Sequence, residues 1–356
     1  MSLKYNATGV MSGTSCDGLD MAHVRFENID GIWTFELTQT ASIPYSAELS
    51  KKLHDAFFAD RDSLFELDQE FSHFLSEEIN GFHNKHHIKA SLIASHGHTI
   101  FHKPFHGGYS LQIGSGSLIA ALTGIDTVTD FRNTDISLGG QGAPLVPVGD
   151  HLLFPDYDYC LNLGGIANIS YVDEGNRVAF DICPVNMALN DLARQNGASY
   201  DAGGNWASKG NINKSLLEVL EKQEYYHRSG PKSLGREWYE SIFRSEIDSF
   251  DISVNDKLAT ICEHIAIRIS ASLNKVGNML ITGGGTYNSF LLDRIKEHTL
   301  AVKVTLVVPD KSIIDFKEAL IFAFLGILRN LNQVNTFASV TGASKDSIGG
   351  AIYAGN

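Results

Sequence analysis

The spacing of apolar residues along this chain switches between strand-like alternation and helical steps. Alternation over residues 9–11, 20–26 and 33–39 predicts three strands in an antiparallel meander. Leu53, Phe57 and Phe58, then Leu64, Leu67, Phe71, Phe74 and Leu75, fall at helical spacing and predict amphipathic helices. Residues 91–95 read as a short buried strand. The order then returns. Runs at 159–163 and 169–172 flank Gly164-Gly165, and 177–181 is a third strand ending on Asp181. Leu258, Ile261, Ile265, Ile269 and Leu273 mark one helix face. Strands at 279–282 and 302–308, a helix at 316–329 and a last stretch at 349–353 complete the chain. A strand–turn–strand unit that recurs after roughly 150 residues predicts two similar α/β domains facing one another. They are expected at 1–150 and 151–340, with about 340–356 packing back on the first. Residues 197–256, rich in Gly, Asn and Ser, read as an insertion over the site.

The turn between the first two strands carries the strongest chemistry. It reads Gly9-Val-Met-Ser-Gly-Thr-Ser-Cys-Asp-Gly-Leu-Asp20. Gly13, Thr14, Ser15 and Gly18 can aim several backbone N–H groups at one point, which is how an anion nest forms. Asp17 and Asp20 suit a phosphate that arrives with Mg²⁺. Residues Gly13, Thr14, Ser15, Cys16, Asp17, Gly18, Leu19 and Asp20 are therefore candidate nucleotide contacts. So many turn-type residues exceed what a plain hairpin needs. Gly164 and Gly165, with Asn168, form a second candidate phosphate turn. Gly283, Gly284 and Gly285 follow a strand and precede Asn288, which is placed near a helix cap. The third glycine of a dinucleotide fingerprint is missing there, so the choices are a close approach to adenosine or a tight strand-to-helix turn.

Asp181 ends a strand just before Pro184 and a helix. Asn186 is the better cap for that helix, which leaves Asp181 for catalysis. Glu318 fits the last place of an Asp315-x-x-Glu318 capping box and equally a functional role. His96, His98, His102 and His106 match no zinc spacing, so loop or substrate-contact histidines are the preferred reading, with His96 and His98 sharing a strand face. Arg132 and Asp135 form a charged cluster just before Gly139-Gly140. The substrate-contact set is His96, Gly97, Arg132, Asp135, Gly140 and Asn186.

Composition narrows the classes. A chain of 356 residues, 43% hydrophobic and 19% charged, is an ordinary globular protein long enough for two domains. The net charge of −13 argues against nucleic acid as partner. Cys16, Cys160, Cys183 and Cys262 form no CxxC pair, so neither a disulfide framework nor a zinc cluster is expected, and the cytoplasm is the default compartment. No secretory leader is expected, and the apolar run at 319–328 is too short to cross a membrane.

The motif at 9–20 resembles the signature of the anhydro-N-acetylmuramic acid kinase family. Other blocks agree in order: Ser95-His-Gly, Asp130-Phe-Arg, Gly139-Gly-Gln-Gly-Ala-Pro-Leu-Val-Pro147, Asn162-Leu-Gly-Gly-Ile-Ala-Asn168, Pro231-Lys-Ser, Gly235-Arg-Glu237, Thr282-Gly-Gly-Gly285 and Val340-Thr-Gly-Ala343. The resemblance implies the actin-like, ribonuclease H-like fold of the sugar kinases, with two related domains and a central nucleotide cleft. It implies an ATP-dependent kinase that opens the 1,6-anhydro bridge with water and phosphorylates O6, giving N-acetylmuramic acid 6-phosphate and ADP in cell-wall recycling. It places the family's base at Asp181 and a family glutamate near sugar and metal at Glu318. Mg²⁺ would bridge the phosphates, with Asp17 and Glu318 as its expected ligands, and a homodimer is the expected assembly. The chain departs from the pattern at Asp181-Ile-Cys-Pro-Val-Asn186, where the family has Asp-Thr-Gly-Pro-Gly-Asn. Leu234 stands for a family Thr and His98 for a Gln. These changes open two alternatives: a kinase for another anhydrosugar such as levoglucosan, or a non-catalytic nucleotide-binding protein of the same fold.

Overall fold

The structure, a computed structural model, describes residues 2–13, 16–104, 107–228 and 232–356. The chain divides into two compact units. The first is Met1–Phe154 with Phe316–Asn356; the second is Pro155–Asp315.

The first unit opens with β1 (Ser2–Ser12), β2 (Gly18–Ile29) and β3 (Ile32–Pro44), then β4 (Ile93–Ser95), β5 (His98–Lys103), β6 (Tyr109–Ile113) and β7 (Thr127–Thr129). The second holds β8 (Tyr159–Leu163), β9 (Ile166–Asp173), β10 (Asn176–Pro184), β11 (Gly277–Thr282) and β12 (Val304–Val307). A last strand, β13 (Ala351–Tyr353), returns to the first sheet. The sheet orders are β13-β7-β4-β1-β2-β3 and β10-β9-β8-β11-β12, and β5 and β6 pair by themselves. Without β13 the two large sheets have the same order and sense: an antiparallel meander whose first strand is extended by two parallel strands. The duplication inferred from the periodicity is thus present in the topology.

Each face of the first sheet is covered by one long helix. Phe71, Leu75 and Ile79 of the helix Arg61–His86 share a buried cluster with Leu19, Met21 and Ile93. On the other face the helix Lys311–Asn330 sets Phe324 against Phe26 and Trp33, at ring distances of 5.3 and 5.1 Å. Gly9 permits this approach, since a Cβ there would collide with the backbone carbonyl of Ala319. The chain therefore returns to the first unit at Phe316, not near residue 340. The reason is the apolar face of this helix, which packs on β1, β2 and β4. The helix also begins at Lys311, so Asp315 and Glu318 lie inside it and form no capping box.

In the second unit Leu161, Leu163 and Ile169 pack with Leu258, Ile261 and Ile265 of the helix Val254–Ala271. The 197–256 stretch joins the same core through Leu216, Leu220, Tyr239 and Phe243. Phe57 and Phe58 depart from their expected helix. That helix stops at Asp55, and a short 3-10 turn leaves both rings exposed. The turn is tight because Asp60 accepts from the Ser63 N–H and so opens the next helix.

Gly9→Ala is expected to force the Lys311–Asn330 helix off the sheet. Overpacking of about 1–3 kcal/mol lowers the midpoint of thermal unfolding by roughly 5 °C or more. An unchanged midpoint in a calorimetric scan would contradict the close approach.

Candidate active site

In the first unit the β1–β2 turn is held at both ends. Tyr45 donates its hydroxyl to Ser12 Oγ at 2.6 Å, and Ser12 Oγ bonds His98 Nδ1 at 2.9 Å. His98 Nε2 lies 3.7 Å from Cys16 Sγ. Burial pushes His98 down to about 4, so the ring is neutral at pH 7. The Cys16 N–H closes the turn on the Gly13 carbonyl, and Ser50 Oγ donates to the Cys16 carbonyl at 2.7 Å. Burial, then the neighbouring Asp17, raises the Cys16 thiol, which is therefore a structural tie. Thr14 and Ser15 lie outside the described residues, as do His106 and Pro231. Leu19 is fully buried in the core, which leaves only its main chain for a ligand.

A second cluster of the first unit centres on Arg132. Its guanidinium donates to His96 Nε2 at 2.7 Å and to the Gly142 carbonyl at 2.7 Å. His96 Nδ1 faces the Gly97 carbonyl at 2.9 Å. A carbonyl only accepts and a guanidinium only donates, so His96 is neutral with its proton on Nδ1. Burial, then the Arg132 charge, holds its pKa well below the usual value. The His96 ring packs 4.8 Å from Phe322, one helical turn beyond Glu318. Glu318 itself reaches solvent, yet the protein mass around it raises its carboxyl. Lys317 and Arg132 oppose that shift, and the nearby Asp20 adds to it.

Arg132 and Asp135, expected as one charged cluster, have separate partners. Asp135 is buried, accepting from Thr341 Oγ1 at 2.7 Å and from the Gly142 N–H at 2.8 Å. Gly140 packs directly on its carboxylate. Nor do His96 and His98 share a strand face, because Gly97 turns the chain with φ +71° between β4 and β5. His102 bonds Ser110 Oγ at 3.0 Å.

The second unit arranges its polar groups in a line. Thr282, Asn162, Asn168 and Asp181 stand opposite one another across β11, β8, β9 and β10. Opposed residues share a face, so this polar row crosses a sheet whose neighbouring rows hold Leu161, Leu163, Ala167 and Ile169. No periodicity reveals such a row, because it exists only once the strands pair. At its end a bulge after Asp181 re-aims the strand. Asp181 Oδ2 accepts from the Leu234 N–H at 2.8 Å, its own N–H donates to the Lys232 carbonyl, and Tyr225 donates its hydroxyl to the Asp181 carbonyl at 2.6 Å. Burial raises the carboxyl to about 6, and the Leu234 N–H partly counteracts it.

Two glycine turns border the row. The Gly164 and Gly165 carbonyls accept from the N–H groups of Val185, Asn186 and Met187. The helix Asn186–Gln195 is thereby capped by the turn and not by Asn186, whose side chain donates instead to the Leu163 carbonyl at 2.9 Å. Gly283, with φ +85°, passes against Asn162 and Leu163 where no Cβ would fit. Gly165 and Gly284 differ: an added Cβ would meet nothing nearer than 3.8 and 3.6 Å, so the fold leaves room beside them. Asn288 caps the helix Ser289–Ala301 through the Leu291 N–H. Gly18 packs on the Ile43 carbonyl.

Residues 5–355 match the family described as Anhydro-N-acetylmuramic acid kinase. The chain is 36% identical to an anhydro-N-acetylmuramic acid kinase of Saccharophagus degradans, over 97% of this chain and 98% of that protein. It is 36% identical to one of Crocosphaera subtropica, again over 97% and 98%. A third, from Vibrio parahaemolyticus, is 34% identical over 99% of this chain and 100% of its own.

The raised Asp181 carboxyl makes a stability prediction. A carboxyl pushed above its ordinary value near 3.9 binds its proton more tightly in the folded state. The stabilisation it gives is whole below that value and is lost as pH rises through about 6. Asp181→Asn should therefore melt higher than the parent at pH 8 and show no such gain at pH 4. A lower melting point at pH 8 would remove the burial argument.

Proposed function

Because the chain belongs to the anhydro-N-acetylmuramic acid kinase family, we propose that Asp181 is the base of its reaction and that Glu318 works on the sugar and metal side. The enzyme is an ATP-dependent sugar kinase. It opens the 1,6-anhydro bridge of anhydro-N-acetylmuramic acid with water and phosphorylates O6, giving N-acetylmuramic acid 6-phosphate and ADP. Asp181 takes a proton from the attacking water as the oxygen adds to the anomeric carbon. The bond from that carbon to O6 breaks, and O6 receives the γ-phosphoryl group while ADP leaves. The carbohydrate half resembles an inverting glycosidase; the phosphoryl half depends on positioning and charge neutralisation.

The observation that carries this reading is the Asp181 carboxyl at the end of the polar row, raised to about 6. A base near the working pH transfers protons more effectively than an ordinary carboxylate. The open space beside Gly165 and Gly284 suits ATP, as does the tied turn before Gly18. Asn168 and Asn186 would orient ligand groups beside Asp181, and His96 would hold Arg132 toward Glu318. Leu19, Asp135 and Asn288 would act by shaping the backbone around the site.

Mg²⁺ fits the residues present. Asp17 and Glu318 offer hard oxygen donors, and the negative charge of Asp20 already presses on Glu318. Among the described residues no group of three or more metal-ligating side chains occurs. Mg²⁺ needs none, since it pairs one or two carboxylates with phosphate oxygens and water. When bound it would neutralise phosphate charge.

The departure at Cys183 and Val185 gives the levoglucosan and non-catalytic alternatives little support. Both side chains are fully buried in the core. We place the enzyme in the cytoplasm as a homodimer without nucleic-acid partners. Among the described residues no helix is long and apolar enough to cross a membrane.

With ATP, Mg²⁺ and anhydro-N-acetylmuramic acid, phosphorus NMR should show a 6-phosphate. Asp181→Asn should lose about a thousandfold in kcat with nucleotide affinity kept; near-parental turnover would exclude Asp181 as base. Glu318→Gln should raise the Mg²⁺ concentration needed for half-maximal rate about tenfold. An unchanged requirement would remove Glu318 from the metal.

A further inference from the structure

A cavity of about 320 Å³ in the second unit is lined by three cations, Arg228, Lys232 and Arg268, and by the rings of Tyr171, Phe180 and Tyr226. None of its described lining residues is acidic. The carboxylates stand behind it. Glu221 bonds Arg268 at 2.6 Å, and Glu224 meets Arg228 at 3.2 Å in a pair that is open to water and weak. Arg268 Nε is buried and has no hydrogen-bond partner, while its guanidinium lies 5.0 Å over the Tyr226 ring. Lys232 Nζ sits 4.8 Å over Tyr225 and 5.7 Å over Phe180, bonded to the backbone carbonyls of Tyr225 and Arg228. Burial, then Arg268 and Arg228, presses the ammonium toward losing its proton. Like charges crowded into a partly dry cavity cost stability, and a bound anion relieves that cost.

We propose that this cavity binds a phosphate dianion, free or as the monoester of a small sugar, and that its occupancy steadies Asp181. Arg228 and Arg268 would grip the phosphate oxygens, Lys232 would add a point charge, and the rings offer flat apolar faces for a sugar. The link to Asp181 is short. The Lys232 carbonyl accepts the Asp181 N–H at 3.0 Å, Leu234 two residues on donates to its carboxylate, and Tyr225 under the Lys232 ammonium donates to its carbonyl. Holding Lys232 therefore holds the strap that fixes the carboxylate. Only this second part rests on Asp181 being the base.

The test is calorimetric titration of the full chain with inorganic phosphate and, separately, with a hexose 6-phosphate. Both are run with Mg²⁺ and a saturating non-hydrolysable ATP analogue, so that the nucleotide's phosphate contacts are filled. The parent should bind either ligand. Arg228→Gln and Arg268→Gln should each weaken it about tenfold. Arg228 is exposed, so its variant reports even if loss of the Arg268–Glu221 pair disturbs folding. Tighter binding of the hexose 6-phosphate identifies the ester as the ligand; equal binding identifies free phosphate. No binding, or binding unchanged in Arg228→Gln and in a folded Arg268→Gln, overturns the site. In the parent, phosphate should move the acid limb of the kcat profile to lower pH; a limb that stays in place despite binding overturns the link to Asp181. Binding is read without turnover, so a failed kinase assay leaves the anion site standing, and a missing anion site leaves the kinase reading standing.

Discussion

The contact between the Lys311–Asn330 helix and β1 is the constraint on which the first unit depends. The helix backbone comes so close at Ala319 that position 9 can hold only glycine. Three side chains follow from this contact. Phe324 fills the sheet face against Phe26 and Trp33. Phe322 supports His96, whose neutral ring orients the Arg132 guanidinium. Glu318, one turn earlier, is thereby carried to Arg132 and Asp20, and both act on its carboxyl. A glycine that opens the longest motif in the chain thus serves packing.

The second unit places its carboxylate by different means. Asp181 terminates a polar row across four strands, and its main chain is clasped by Lys232 and Tyr225. The Leu234 N–H gives one hydrogen bond to the charged form, too little to offset burial, so the carboxyl is raised. Cys183 and Val185 sit on the other side of this balance. They lie in the core and touch the carboxylate's setting only through the position of the strand end.

Much of this architecture is legible in the sequence because it is local. The two meanders, the glycine turns and the long amphipathic helices all follow from spacing within a dozen residues. What stays hidden is the product of pairing or close approach. The Thr282–Asn162–Asn168–Asp181 row draws on segments more than a hundred residues apart. The Ser12–His98–Tyr45 tie joins the end of β1 to the start of β5 and to the residue after β3, and His98 alone looks like any loop histidine. The helix start at Lys311 escapes notice because Asp315-x-x-Glu318 imitates a cap. Asp135 resembles a site residue by charge, but burial and its bond to Thr341, two hundred residues on, make it a structural pin.

The duplicated sheets have kept their order and lost their likeness at the turns. In the first unit, side chains hold the β1–β2 turn: Tyr45, Ser12 and His98 at one end and Ser50 at the other. In the second, a helix start does so, with three backbone donors spent on the Gly164 and Gly165 carbonyls. Those donors are then unavailable to an anion, which turns the second turn away from the helix-terminus mode of phosphate binding. Gly164 packs on the Asn162 side chain, but Gly165 answers neither a positive φ nor a packed neighbour. A residue without a side chain at position 165 keeps the backbone open to a close approach, the room that the proposed nucleotide would use.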